Sequence, residues 1–160
     1  MEKIWLNSYP ADVPQTIDPE QYKSLTHLLE ESFRKNASSP FSVCMDRWMS
    51  YRQLDELSAS LGAWLQAQGL EPGARVAIML PNIPQFAVTM AAVLRAGYTC
   101  VNVNPLYTAR ELEHQLKDSG ASSIVILENF GKTLEEVIER TPVKHVVVAS
   151  MGDLLGFPKG

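Results

Sequence analysis

A chain of 160 residues that is 46% hydrophobic, with charges of both signs, is long enough for one globular core and too apolar for a disordered tail. Its formal net charge of -4, with no cluster of Lys or Arg, gives no electrostatic reason to expect nucleic acid, and an acidic partner is equally unsupported. Cys44 and Cys100 stand far apart in apolar stretches without C-x-x-C spacing, which excludes a disulfide miniprotein and predicts two buried thiols in a reducing cytosol.

The opening apolar run, residues 4–6, is too short for a signal-peptide core, and no later stretch approaches the ~20 apolar residues of a membrane span. A soluble, intracellular chain is therefore expected. Trp5, with Ile4 and Leu6, reads as a packed terminal anchor in preference to a membrane contact. Pro10, Pro14 and Pro19 block helix, so residues 1–23 are expected to form an extended arm.

Order begins at Ser24, which suits the N-cap of a helix carrying Leu25, Leu28, Leu29 and Phe33 on one face to about Lys35. Residues 41–45 and 48–51 are short apolar pieces around Asp46-Arg47 and predict a small hairpin. Ser50-Tyr51-Arg52-Gln53 is a capping box, and the helix it opens has the stripe Leu54, Leu57, Leu61, Trp64 and Leu65 before Gly69 closes it.

From residue 76 strands and helices alternate. Strands are expected at 76–80, 98–103, 123–127 and 143–149. The helix at 83–96 should turn Phe86, Met90, Val93 and Leu94 inward. A second capping box, Thr108-Ala109-Arg110-Glu111, opens a helix with Leu112 and Leu116 inside, ending near Gly120. Phe130, Leu134, Val137 and Ile138 predict one more helix before Pro142. Single helices between strands imply a parallel sheet with helices on its faces. The fold class is thus α/β: a partial doubly wound, mainly parallel sheet with flanking helices, preceded by a helix and a hairpin of a neighbouring subdomain. The expected division is 1–23 arm, 24–70 first subdomain, 71–150 βα repeat, and 151–160 loop. Residues 76–80 and 143–148 read as strands buried on both faces.

The chemistry is marked mainly by what is missing. There is no G-x-G-x-x-G after a strand and no G-x-S-x-G; the nearest approach to a Walker loop, Gly152 to Gly160 with Lys159, lacks the spacing and the hydroxyl residue. His27 with Glu31, and His114 with Asp118, stand four apart on helices, but catalytic zinc wants three protein ligands, so both read as surface pairs. His145 has no recognisable partner. Asn104-Pro105-Leu106-Tyr107-Thr108 leaves a strand at the carboxyl edge of the sheet, where open α/β sheets bind ligands. Asn104 and Thr108 as turn caps are preferred there over direct substrate contact.

The block at residues 5–14 (WLNSYPADVP), the run at 102–108 (NVNPLYT), and residues 110–116 (RELEHQL) with Asp118-Ser119-Gly120-Ala121 resemble the opening of bacterial long-chain fatty-acid-CoA ligases. Ser50-Tyr51 leading into Leu54, and residues 73–82 (GARVAIMLPN), resemble the wider superfamily of adenylate-forming enzymes. The resemblance runs the whole chain. It implies a two-step reaction in the full-length parent: a fatty-acid carboxylate attacks the α-phosphate of ATP, and CoA then displaces AMP from the acyl-adenylate. ATP, Mg2+ and CoA are the implied cofactors, none expected to be bound by this portion alone, and a long-chain fatty acid is the implied substrate.

In that family the phosphate loop, the acidic metal-binding residue and the catalytic lysine belong to motifs not found here. No catalytic, cofactor-binding or metal residue is therefore carried onto this sequence, and the chain alone is expected to be inactive. A cytoplasmic location follows, with peripheral contact at the inner face of the cytoplasmic membrane allowed, and no nucleic-acid partner. Self-association is expected from strands left without neighbours. A portion of another adenylate-forming acid-CoA ligase and a non-catalytic α/β binding module are the alternatives.

Overall fold

The computed structural model describes residues 3–156. Helix α1 (Leu25–Lys35) starts where the Ser24 side chain accepts the His27 N–H. Strands β1 (Pro40–Cys44) and β2 (Arg47–Ser50) form an antiparallel hairpin that sets Val43 across from Trp48. Its two connecting residues, Met45 and Asp46, both take positive φ, 49° and 62°, as the tight primed turns of hairpins require. Helix α2 (Tyr51–Ala67) opens with both halves of its capping box formed between Ser50 and Gln53.

The main sheet contains β3 (Arg75–Met79), β4 (Thr99–Asn102), β5 (Ser123–Leu127) and β6 (His145–Ala149), all parallel, in the order β4-β3-β5-β6. Helix α3 (Pro84–Arg95) connects β3 to β4, and α4 (Ala109–Ser119) carries the chain from β4 past β3 to β5. Gly120 ends α4 at φ 65°, a left-handed position that costs a residue with a Cβ about 1 kcal/mol or more. Alternation along the strands divides the core. Ala77, Met79, Ile124 and Ile126 meet Leu112 and Leu116 of α4 on one face; Val76, Ile78, Val125 and Leu127 meet Leu65 and Val93 on the other. Each such aliphatic side chain contributes about 1.5–3 kcal/mol by leaving water. A third cluster, Phe33, Met49, Leu54, Val88 and Ala91, joins α1, α2 and the hairpin to the outer side of α3.

Several expectations need correcting. Within the expected extended arm, residues 4–8 form a 3-10 helix, and Ile4 and Trp5 are 68% and 51% exposed, so Trp5 is not a packed anchor. Trp64 faces solvent, while Ser58 and Gly62 are buried in its place, because α2 lies too close to α3 for an indole. Helix α3 is covered on two sides, so Val88, Thr89, Ala91 and Ala92 are buried with Val93, and Phe86, Met90 and Leu94 are only half-buried.

The helix expected around 130–138 is broken. A 3-10 turn at Glu128–Phe130 leads into the short α5 (Gly131–Glu135), and a second turn follows at Ile138–Arg140. As a result β6 is covered on one face only, with Val146 and Val148 exposed, whereas β5 is buried on both. Cys44 and Cys100 are half-buried and not fully enclosed. Packing runs without a gap across residue 70, since Leu65 of α2 shares a cluster with Val76 and Ile78 of β3.

Candidate functional site

Strand order creates the site. The chain goes from β3 outward to β4, then returns across β3 to β5, so the crevice beyond the carboxyl ends of β3 and β5 is a topological switch point, the place where open α/β sheets take ligands. Leu80 and Leu127 end the two strands as buried side chains, and polar residues follow each: Asn82 after β3 and Glu128 after β5.

Gln85, in the first turn of α3, is 7% exposed and donates from Nε2 to the Ser150 carbonyl at 2.7 Å. Its Oε1 is buried with no hydrogen-bond partner among the described residues. The Ser150 hydroxyl donates to the Glu128 carboxylate at 2.6 Å, and the Ser150 N–H donates to the Asp153 carboxylate at 2.7 Å. Three elements distant in sequence are thereby joined at the carboxyl edge: the end of β5, the start of α3 and the turn after β6. That turn lets Leu155 bury and Leu154 pack against the α1–α2 cluster. A groove of about 220 Å3 lies beside it, between Arg47, Trp48 and Gln53 on one side and Pro84, Leu154 and Gly156 on the other.

At the end of β4 the turn residues serve the backbone. Asn104 Oδ1 accepts the Leu106 N–H at 3.0 Å, closing an Asx turn. Thr108 donates its N–H and its hydroxyl to Glu111 at 2.9 and 2.8 Å, and its oxygen accepts the Glu111 N–H. Those bonds, the backbone one first, hold the Glu111 carboxyl below its ordinary range. Gln115 Nε2 donates to the Asn102 carbonyl at 2.8 Å. An open hollow of about 770 Å3 over this first turn of α4 is lined by Tyr107, Arg110, His114 and Asp118.

The other residues singled out by sequence stay apart. His27 Nδ1 accepts the Lys23 N–H at 3.3 Å and its ring meets the edge of Tyr22 at 5.9 Å, so it serves the entry to α1. His114 is exposed at the rim of the α4 hollow, and His145 starts β6. Among the described residues no three His, Cys, Asp or Glu side chains gather as metal ligands. The stretch ending in Lys159 and Gly160 lies outside the described residues. Cys100 turns its thiol to the Met90 carbonyl, and burial pushes it up to about 11, far from a nucleophile's range. The polar groups gathered at the switch point can bind and orient, with the Ser150 hydroxyl turned to the Glu128 carboxylate. Sequence reading missed Gln85, Glu128 and Ser150, because their meeting depends on strand order, which local periodicity does not report.

Residues 29–159 match the family described as AMP-binding enzyme. The chain is 52% identical over 161 residues to a long-chain-fatty-acid-CoA ligase of Escherichia coli O6:H1, covering 100% of this chain and 29% of that protein. It is 34% identical over 158 residues to the long-chain-fatty-acid-CoA ligase of Bacillus subtilis, covering 99% of this chain and 28% of that one. Its fold matches a long-chain-fatty-acid-CoA ligase structure from Archaeoglobus fulgidus with a TM-score of 0.75 at 24% identity, over 92% of this chain and 32% of that one. The chain thus spans under a third of the length of these relatives.

Proposed function

The chain belongs to the AMP-binding enzyme family, and from that premise we propose that it is the amino-terminal portion of a long-chain fatty-acid-CoA ligase. The observation that carries this reading is the 52% identity along the entire chain to a protein of that name. The proposed whole-protein reaction joins a long-chain fatty acid to CoA through an acyl-adenylate, with ATP and CoA as cosubstrates and Mg2+ as the metal. Mg2+ in ATP-dependent sites is held through one or two carboxylates together with substrate phosphates and water, and no residue of this portion is assigned to it. The role proposed for this portion is to build one wall of the sheet and its carboxyl edge, with Gln85, Glu128 and Ser150 orienting the backbone around the crevice. The catalytic groups are proposed to lie in other parts of the protein.

Two further properties belong to the same proposal. Exposed Ile4 and Trp5 support peripheral contact with a membrane surface from the cytoplasmic side. The bare face of β6 supports self-association of the chain.

The test is ATP–pyrophosphate exchange with purified proteins free of host ligase. The 160-residue chain with oleate is expected to show only background exchange, and a full-length protein carrying this sequence is expected to activate oleate well ahead of acetate or amino acids. Exchange by the chain alone would mean that catalytic groups have been misplaced. Equal use of acetate would move the protein elsewhere in the family.

A further inference from the structure

Ser150 is held at each of its polar groups. Its hydroxyl donates to the Glu128 carboxylate at 2.6 Å, its N–H donates to the Asp153 carboxylate at 2.7 Å, and its carbonyl accepts from Gln85 Nε2 at 2.7 Å. Thr108 also donates its hydroxyl to a carboxylate, that of Glu111, but the same carboxylate takes the Thr108 N–H, and the pair closes a capping box within one helical turn. Ser150 differs, because Gln85 and Glu128 reach it from 65 and 22 residues away. Local capping does not account for that convergence.

We propose that Ser150 is an acyl acceptor: its hydroxyl, with Glu128 as base, takes the acyl group of an acyl-adenylate at the carboxyl edge of the sheet. The proposal rests on the ligase reading above, which supplies that mixed anhydride. Ser150 Oγ attacks the acyl carbonyl carbon and forms an ester bond; the bond from that carbon to the phosphate oxygen breaks, and its electron pair leaves with AMP. The Oγ proton passes to Glu128, whose exposed carboxyl returns it to water. An exposed carboxylate is a weak base for a hydroxyl, so the donor must carry a good leaving group. A phosphate oxygen titrates at about 6 and a thiol at about 8.5, which makes an acyl-adenylate the fitting donor and an acyl thioester a poor one. Helix α3, twelve residues long with Gln85 in its first turn, brings its positive end to the place where charge develops on the acyl oxygen. The groove that Asp153 and Pro84 share with this cluster is floored by Met49 and Leu155, 7% and 6% exposed, an apolar surface for an alkyl chain.

The 160-residue chain contains every residue named, so it can be tested with a ready-made donor. Octanoyl-adenylate at neutral pH is expected to add one octanoyl group to the folded chain, located at Ser150 by peptide mass and removed by alkaline hydroxylamine as an ester. In urea that selectivity for Ser150 is expected to vanish. Ser150→Ala should abolish the ester. Glu128→Gln keeps an acceptor for the Ser150 hydroxyl but no base, so ester formation is expected to slow about a hundredfold. No ester at Ser150, an equal yield at Thr108, or a full rate in the Glu128→Gln variant would overturn the proposal. Each of those results leaves the ligase reading standing; that reading falls instead if a full-length protein shows no pyrophosphate exchange with oleate.

Discussion

Gly62 of α2 lies against the backbone of α3 so closely that a Cβ added to it would sit 3.2 Å from the Ala92 carbonyl oxygen. The contact works because both partners are small, and Ser58 one turn earlier is buried on the same line. Alanine at position 62 gains helix propensity of about 0.8–1 kcal/mol and must push the helices apart by a few tenths of an ångström, so its net effect on stability is expected to be small. Gly62→Leu has no such compensation. Urea unfolding is expected to show a loss of about 2–3 kcal/mol, and a leucine variant as stable as the native chain would mean that α2 and α3 are not in close contact.

Arg95 ties the layer outside α3 together. Its Nη1 donates to the Asp55 carbonyl at 2.8 Å and to the Ser58 hydroxyl at 2.9 Å, it pairs with the Asp55 carboxylate at 2.8 Å, and its guanidinium lies 5.5 Å from the centre of the Phe33 ring. Removing it leaves the fully buried Ser58 hydroxyl without a charged donor. Arg95→Ala is expected to cost about 2–3 kcal/mol, read as a lower urea midpoint. Lysine supplies the charge without the planar fork, so Arg95→Lys should recover less than half of that loss. Full recovery would show that charge alone matters here.

Cys100 should be chemically silent in the native chain. With its thiol pushed up to about 11 by burial, roughly one molecule in a thousand carries the thiolate at pH 8. Iodoacetamide labelling read by peptide mass is expected to leave Cys100 unmodified under conditions that label it fully in denaturant. Rapid native labelling would mean that α3 and β4 open far more often than their packing suggests.

What could be read ahead of the structure was local. Ser50 with Gln53 and Thr108 with Glu111 announce helix starts because both halves of each capping box lie within one turn, and the structure forms all four bonds. Apolar runs likewise placed β3 and β5. The stripe that includes Trp64 identified the inward side of α2 only approximately, because periodicity says nothing of how near the opposing helix comes; Gly62 and Ala92 decide that. The helix foreseen across 130–138 failed because its apolar positions, Phe130, Leu134, Val137 and Ile138, are all used by a broken chain of short turns instead. Gln85 and Ser150 are 65 residues apart and meet only through the strand order, for which no local pattern exists.

Acid is expected to weaken the link between α4 and the turn after α5. Glu113 on α4 accepts from Arg140 Nε at 3.0 Å and pairs with Lys117 one turn on, joining those two elements. These partners, the Arg140 hydrogen bond foremost, lower its carboxyl from the ordinary 4.5 to about 2. A carboxyl depressed in the folded state binds its proton more readily when unfolded. Its stabilising contribution is therefore complete above about pH 4.5 and disappears as pH falls toward 2. Glu113→Gln removes the charge at every pH. The unaltered chain should accordingly be the more stable of the two at pH 7, by a margin kept small by solvent and salt, and the gap should close between pH 4.5 and 2. Paired urea titrations at pH 7, 4 and 3 check this. A gap that widens on acidification would show that Glu113 is not paired with Arg140 in solution.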